Sequence, residues 1–238
     1  MNKTIIIIPT YNESQNIKKI ITKIDSLKIE NDFLIIDDNS PDKTYDVVKE
    51  MMITRTDINL IIQSKKNGLG TAYIRGFEWA IKKKYDRIIQ IDADLSHNPQ
   101  DIPTMIELMA DYDMVIGSRY IKGINVVNWP MSRLILSYMA NVYVKLITRM
   151  KINDSTSGYK CISAEVLKKI NLKKINSQGY SFQIEVNFLA SVNKFKIKEI
   201  PIIFHDRTVG ESKMSKSIIF EAIFMVPKLA LKKILRIW

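Results

Sequence analysis

Reading from the amino terminus, short unbroken apolar runs alternate with longer stretches of helical period. The runs occupy residues 4–8, 33–37, 58–62, 87–91 and 114–117. Because their isoleucines, leucines and valines run on continuously rather than at every second position, they predict strands buried on both faces of a mostly parallel sheet. The segments between them, such as 16–27 and 71–83, bring apolar residues back every three or four positions, the spacing of one helix face. Strand and helix in alternation predict an α/β fold with helices flanking the sheet. Beyond Arg119 the pattern loosens. A loop runs through Trp129 and Pro130, and an amphipathic helix is expected over 132–149. A polar turn at 154–158, a helix over 181–193, a strand over 197–203 and a terminal helix follow.

Size and composition sharpen this picture. With 238 residues, 46% of them hydrophobic, the chain fills one well-buried core and has little left for a second. The single cysteine, Cys161, excludes an intramolecular disulfide and points to a reducing, intracellular compartment. Four isoleucines before Pro9 are too short a run for a signal peptide and read as a first strand. A net charge of +11 favours a polyanionic partner, whether nucleic acid, an anionic membrane surface or a phosphorylated substrate.

In an open parallel sheet the ligand site forms beyond the carboxyl ends of the strands, so the residues after each run come next. They are Pro9-Thr10-Tyr11-Asn12-Glu13, Asp37-Asp38-Asn39-Ser40-Pro41-Asp42, Asp92-Ala93-Asp94 and Gly117-Ser118-Arg119-Tyr120. Acidic strand ends lining the cleft argue against nucleic acid as the partner. Asp92 and Asp94 place hard oxygen ligands where Mg²⁺ or Mn²⁺ is held together with substrate phosphates. An Asx turn into the next helix, begun by Asn98 and Pro99, is the plainer alternative. Adjacent Asp37 and Asp38 repel each other unless donors or a cation compensate, so one of them is expected to meet a ligand. The stretch Lys65-Lys66-Asn67-Gly68-Leu69-Gly70 is either a loop or a place where backbone amides approach phosphate. His97 and His205, the only histidines, read as structural rather than catalytic.

Taken in order, Ile7 to Glu13, Asp37 to Asp42, Gly68-Leu69-Gly70 with Arg75-Gly76, Asp92 to His97 and Gly117 to Tyr120 resemble the motifs of the family 2 nucleotide-sugar glycosyltransferases. The second half narrows the resemblance through Asn128-Trp129-Pro130 with Arg133, Ser157-Gly158-Tyr159, the segment from Gly179 to Glu185, and the segment from Asp206 to Met214. These are similar to the dolichyl- and polyprenyl-phosphate mannosyltransferases, over nearly the whole chain. The resemblance implies a GT-A fold, with a catalytic domain over 1–214 and an amphipathic helix over 215–238 in the same unit. It also implies inverting transfer of mannose from GDP-mannose to dolichyl or polyprenyl phosphate.

By the same resemblance, Pro9, Tyr11, Glu13, Ile36 and Asp38 bind the nucleotide. Asp92, Ala93 and Asp94 hold ribose, diphosphate and a Mg²⁺ or Mn²⁺ ion, and Ser96 stands where the family places a further metal ligand. Arg119, Arg133 and Ser137 would take the acceptor phosphate, and Glu185 would lie near the donor sugar or form a salt bridge. A lipid phosphate is largely dianionic at neutral pH, so it attacks without a dedicated base. The harder task is to bring it to a sugar whose leaving group is also anionic. Arg119, Arg133, Arg207 and Lys213 are the cations assigned to that task, Arg207 and Lys213 on the donor side and Asp94 among the catalytic group.

No apolar stretch reaches a bilayer span, because the best candidate, 218–231, is broken by Glu221, Pro227 and Lys228. Residues 134–147 and 218–238 nevertheless mix apolar side chains with Lys228, Lys232, Lys233 and Arg236, as helices lying on an anionic lipid surface do. The alternative is that both simply cover the sheet. The expectation is a peripheral protein on the cytoplasmic face of a membrane, with room for a membrane-spanning partner subunit. The rival functions are transfer of another sugar such as glucose, and an inert membrane-surface binder that keeps the fold.

Overall fold

The computed structural model describes residues 2–175, 177–206 and 216–235, and of residues 216–220 the backbone alone. The first half runs β1 (Thr4–Thr10), α1 (Ile17–Asp25), β2 (Asp32–Asp37), α2 (Thr44–Met52), β3 (Ile58–Ile62), α3 (Leu69–Lys82), β4 (Arg87–Gln90), α4 (Ile102–Leu108) and β5 (Met114–Ser118). Each apolar run of the sequence is a strand. The isoleucine-rich runs suit the pleated, doubly covered surface on which β-branched side chains pack well. In α1, Ile17, Ile20, Ile21 and Ile24 are all buried, the stripe that their spacing predicts.

The second half adds β6 (Val126–Val127), α5 (Met131–Thr148), β7 (Lys160–Ser163), α6 (Ala164–Lys169), α7 (Gly179–Val192), β8 (Ile197–Pro201), β9 (Phe204–His205) and α8 (Lys216–Leu235). The main sheet has seven strands in the order β3-β2-β1-β4-β7-β5-β8. All neighbours are parallel except β7, which runs antiparallel to both β4 and β5. The strand β7 has no signature in the hydrophobic pattern, because it is four residues long and begins with a lysine. Its antiparallel direction has a functional consequence. It starts where its neighbours end, so residues 154–158 are delivered to the edge of the sheet that carries the motif loops.

Alternate residues of each strand serve two cores. Ile5, Ile7, Leu34 and Ile36 pack with Tyr73 and Phe77 of α3 and Phe182 and Ile184 of α7. Ile6, Ile8, Phe33 and Ile35 pack with the α1 isoleucines and Ile102 of α4. Gly70 lets α3 come close to the segment before α7, since a Cβ there would overlap the carbonyl oxygen of Ser177. The helix α8 packs against α5 and α7, burying Val226 and Leu229, and Tyr143 Oη of α5 donates to the Ile223 carbonyl at 2.9 Å.

Candidate functional site

The carboxyl ends of β1, β2, β4 and β5 lie along one edge of the sheet, so the polar segments that follow them converge. At the β2 end, the Asp37 carboxylate accepts from Thr10 Oγ1 (2.7 Å), Ser40 N (2.8 Å) and Ser40 Oγ (2.7 Å). Asp37 is therefore a structural carboxylate that ties β1 to the loop after β2. Asp38 accepts from Gln63 Nε2, Asn67 N (3.3 Å) and Gly68 N (3.1 Å). Burial pushes its pKa up against these hydrogen bonds. The amides of the glycine loop are thus spent inside the protein: Gly68 N on Asp38, and Gly70 N on Gln178 Oε1 at 3.0 Å. The amides of Asn67, Gly68 and Gly70 are therefore already engaged within the protein.

Nearby, the Lys66 ammonium sits 3.9 Å above the Tyr11 ring. The Glu13 carboxylate accepts from Asn16 Nδ2 at 2.9 Å, and Pro9 lies opposite Ile36 in the parallel ladder, one residue before its end. Ile36 itself is fully buried, with its side chain against Gly76 in the core, so its side chain has no place in a nucleotide cleft. Only its backbone remains available for the role that the resemblance implies.

After β4, Asp92 is 35% exposed at its side chain, whereas Asp94 is 7% exposed as a residue and Ala93 is buried between them. The Asx turn forms: Asp94 Oδ1 accepts from Ser96 N at 3.0 Å, and Leu95 takes φ 63° to close it. It does not displace the metal reading. Ser96 Oγ is buried beside Asp94 with no protein partner among the described residues. Two carboxylates and that hydroxyl are an oxygen-only donor set that fits Mg²⁺ or Mn²⁺ with a substrate diphosphate completing the shell. Among the described residues no cluster of three or more His, Cys, Asp or Glu side chains forms an all-protein cage. His97 is buried against Tyr159 and Phe204, with Nδ1 at 3.7 Å from Asp92 Oδ2. Burial pushes its pKa down to about 4, so it is neutral at pH 7.

After β5, Arg119 is 5% exposed and clasps Asp154, which comes from the loop before β7. Arg119 Nε and Nη2 donate to the two Asp154 oxygens at 2.7 Å each, the Arg119 backbone amide donates at 2.9 Å, and Nη2 also reaches Thr156 Oγ1 at 2.7 Å. Burial alone would discharge both groups. Their attraction instead drives the arginine pKa up and the aspartate pKa down from their ordinary values. Nη1 has no partner among the described residues, and Arg119 borders a cavity of about 330 Å³. Arg133 and Ser137 of α5 border the same cavity. Arg133 Nη1 donates to Asp206 at 2.8 Å, and its guanidinium carbon lies 4.1 Å over the Trp129 ring, which the Arg119 guanidinium also approaches at 5.4 Å. Ser137 Oγ accepts from Tyr120 Oη at 2.7 Å. The rest of the wall is apolar, with Leu136, Met139, Ala140 and Val144 from α5, Ile184 from α7 and Ile223 from α8.

The structure therefore brings Arg119, Arg133 and Ser137 to one cavity, and Asp92, Asp94 and Ser96 to one strand end. Arg207 and Lys213 lie outside the described residues. Glu185, expected near the donor sugar or in a salt bridge, instead accepts from Ser177 Oγ at 2.6 Å and borders a second cavity. Sequence reasoning missed Asp154 and Lys160. Asp154 lies in a segment read only as a polar turn, and its pairing with Arg119 spans 35 positions, beyond any local pattern. Lys160 is wholly buried at the start of β7, where burial pushes its pKa down to about 7.

Comparison with known proteins gives this geometry its context. The profile of Glycosyl transferase family 2 matches residues 5–171. The polyprenol monophosphomannose synthase of Mycolicibacterium smegmatis is 40% identical over 226 residues, covering 94% of this chain and 85% of that protein. The undecaprenyl-phosphate mannosyltransferase of Micrococcus luteus is 37% identical, covering 95% and 93%. The dolichol-phosphate mannosyltransferase of Pyrococcus furiosus is 36% identical, covering 92% of this chain and 61% of that protein. Among solved structures, glucosyl-3-phosphoglycerate synthase from Mycobacterium tuberculosis, determined with Mn²⁺ and UDP-glucose, superposes with a TM-score of 0.68 at 14% identity. It covers 98% of this chain and 79% of that one, and at this identity it speaks to the fold alone. The strand-end motifs, the sheet that carries them and the extent of these matches lead to one conclusion: the chain belongs to glycosyltransferase family 2 and is a glycosyltransferase of the GT-A type.

Proposed function

We propose that the protein transfers mannose from GDP-mannose to the phosphate of a polyprenyl or dolichyl phosphate, with inversion at the anomeric carbon. The observation that carries this reading is the cavity between α5, α7 and α8. Arg119, Arg133, Ser137 and Thr156 line it together with aliphatic side chains of α5, α7 and α8 and the rings of Trp129, Tyr143 and Tyr180. A phosphate with a hydrocarbon tail is the complement of that surface, since guanidinium forks suit phosphate oxygens and the aliphatic side chains suit an isoprenoid. The curated relatives named for polyprenol, undecaprenyl and dolichol phosphates support the same reading.

In this reading Tyr11, Glu13 and Asp38 border the nucleotide. Asp92 and Asp94, with Ser96 beside them, hold a Mg²⁺ or Mn²⁺ ion whose charge stabilises the departing diphosphate. Arg119 is kept rigid by Asp154 and offers Nη1 to the acceptor phosphate. Arg133 joins it by giving up part of its pairing with Asp206. Two cations against one dianion reduce the repulsion between acceptor and donor. His97, neutral and buried, is not needed as a base, because the phosphate is already the nucleophile. Arg207 and Lys213 are assigned to the donor side. Mannose rather than glucose as the sugar rests on the relatives' names.

The protein is also assigned to a membrane surface. No helix among the described residues is long and apolar enough to cross a membrane. Yet α5 exposes Met131, Ile135, Met139 and Leu146, and α8 exposes Phe224, Leu231, Ile234 and Leu235, beside the lysines of α8. The cytoplasmic face and a membrane-spanning partner subunit belong to the same proposal.

The test is transfer of radiolabelled sugar to dolichyl phosphate in detergent, comparing GDP-mannose with UDP-glucose, with and without EDTA. The expected result is label from GDP-mannose alone, abolished by EDTA and by Asp94→Ala. Arg133→Ala is expected to raise the KM for the lipid phosphate about tenfold and leave that for the donor within twofold. Label from UDP-glucose alone would keep the fold and overturn the sugar.

A further inference from the structure

We infer that Gln183 reads a hydroxyl of the donor sugar, in a slot between Gly158 and Asp92, and that Lys160 is the positioning residue that holds Gln183 in the orientation required. The inference rests on the reading of this cleft as a nucleotide-sugar site and gives individual roles to Gly158 and Gln183, which lie in motif segments, and to Lys160, which does not.

Lys160 opens β7 at the centre of the sheet. Its register sets it opposite Gln90 of β4 and Ile116 of β5, so its side chain leaves the sheet on the face covered by α3 and α7. It is wholly buried and makes no salt bridge among the described residues. Its Nζ lies 2.6 Å from Gln183 Oε1 and 3.4 Å from the Gln183 carbonyl. A charged amine is seldom placed in an interior without an anion beside it. Here it is held by one carboxamide of α7.

That contact fixes an orientation which carboxamides otherwise leave open. Gln183 turns its oxygen toward Lys160 Nζ, and the planar amide then directs Nε2 the other way. Nε2 is buried and meets no partner among the described residues, and Gln183 as a whole is 1% exposed. Buried amide donors are nearly always satisfied, so an unmet donor locked in place calls for a ligand.

Gly158 shows where that ligand would sit. A Cβ at this position would stand 3.6 Å from Gln183 Nε2 and 3.9 Å from each carboxylate oxygen of Asp92. The volume that this glycine leaves open therefore joins the unmet amide to the partly exposed carboxylate. Gly158 is absent from the residues with positive φ, so its backbone does not require glycine; what the glycine supplies is space. The slot has a donor on one side and an acceptor on the other. A sugar hydroxyl both gives and takes a hydrogen bond, which makes it the matching group.

The experiment measures, on the full chain with Mn²⁺ present, kcat/KM for GDP-mannose and the inhibition constant of GDP, for wild type, Gly158→Ala, Gln183→Glu and Lys160→Met. Gly158→Ala fills the slot with one methyl group at ordinary contact distances, and Gln183→Glu keeps an oxygen for Lys160 while removing the Nε2 donor. Both are expected to lower kcat/KM at least tenfold and to reduce the preference for GDP-mannose over GDP-glucose, with GDP inhibition within twofold of wild type. Lys160→Met should show the same split between sugar and nucleotide, to a smaller degree. Losses in both quantities together would mean that these residues only support the fold, and losses in neither would mean that the slot holds only water; either result overturns the inference and leaves the donor assignment standing. A wild-type chain indifferent to both GDP and GDP-mannose overturns the donor assignment itself, and the inference with it.

Discussion

At the scale of single residues, the site depends on charges that the interior tolerates only in pairs. Asp154 is the clearest case: it is 0% exposed, and its carboxylate takes three hydrogen bonds from Arg119. Asp154→Leu leaves the guanidinium buried without its anion. The expected cost is about 3–5 kcal/mol of unfolding free energy, read from urea denaturation. His97 makes a pH-dependent contribution of definite sign. Its folded pKa, about 4, lies below the ordinary value of 6.5, so the unfolded chain binds the proton first as pH falls. Stability is then lost between pH 6.5 and pH 4. From pH 6.5 to pH 5 the wild type is expected to lose about 1.5 kcal/mol more than His97→Gln, measured by urea titration at the two values. Asp92, Asp94 and Arg119 were legible in the sequence because they stand in motifs at strand ends, and Arg133 through its place after Asn128-Trp129-Pro130 in the resemblance. Asp154 and Lys160 were not, because a buried partner is defined by what it touches across the fold.

At the scale of elements, the apolar runs announce β1 to β5 within a few residues, since a strand covered on both faces is mostly Ile, Leu and Val without alternation. The short strands β6, β7 and β9 have no such signal, and β7 begins with Lys160, which reads as a surface residue until the helices close over it. The helices α5 and α8 have apolar residues on more than one side. One set packs inward, as Val144, Val226 and Leu229 do, while Leu146 and Phe224 remain 71% and 75% exposed. If these outer side chains enter a lipid interface, each contributes about 1.5–3 kcal/mol when fully buried. The double variant Leu146→Glu with Phe224→Glu is therefore expected to lower binding to vesicles containing anionic lipid by tenfold or more in co-sedimentation. Binding that persists unchanged would remove these helices from the membrane face.

At the scale of the whole molecule, the motif segments after β1, β2 and β4 lie on one side of β7 in the sheet order and the segment after β5 on the other. Among the described residues no group of three or more His, Cys, Asp or Glu side chains could hold a divalent ion, so metal and nucleotide are expected to bind together. Mn²⁺ alone should leave the melting temperature unchanged within a degree, and Mn²⁺ with GDP should raise it by several degrees, as mass action requires of a ligand bound to the folded state alone. An equal rise with Mn²⁺ alone would point to a further ligand. The sequence by itself determined the α/β architecture, the order of the motif loops and the carboxylates at the strand ends, because these follow from local periodicity and from residues adjacent in the chain. Only the tertiary structure decided which carboxylate holds Arg119, that the glycine loop spends its amides internally, and that Lys160 and Gln183 stand behind Gly158. Those facts depend on an antiparallel strand inserted between parallel ones, and on burial that joins residues far apart in the chain.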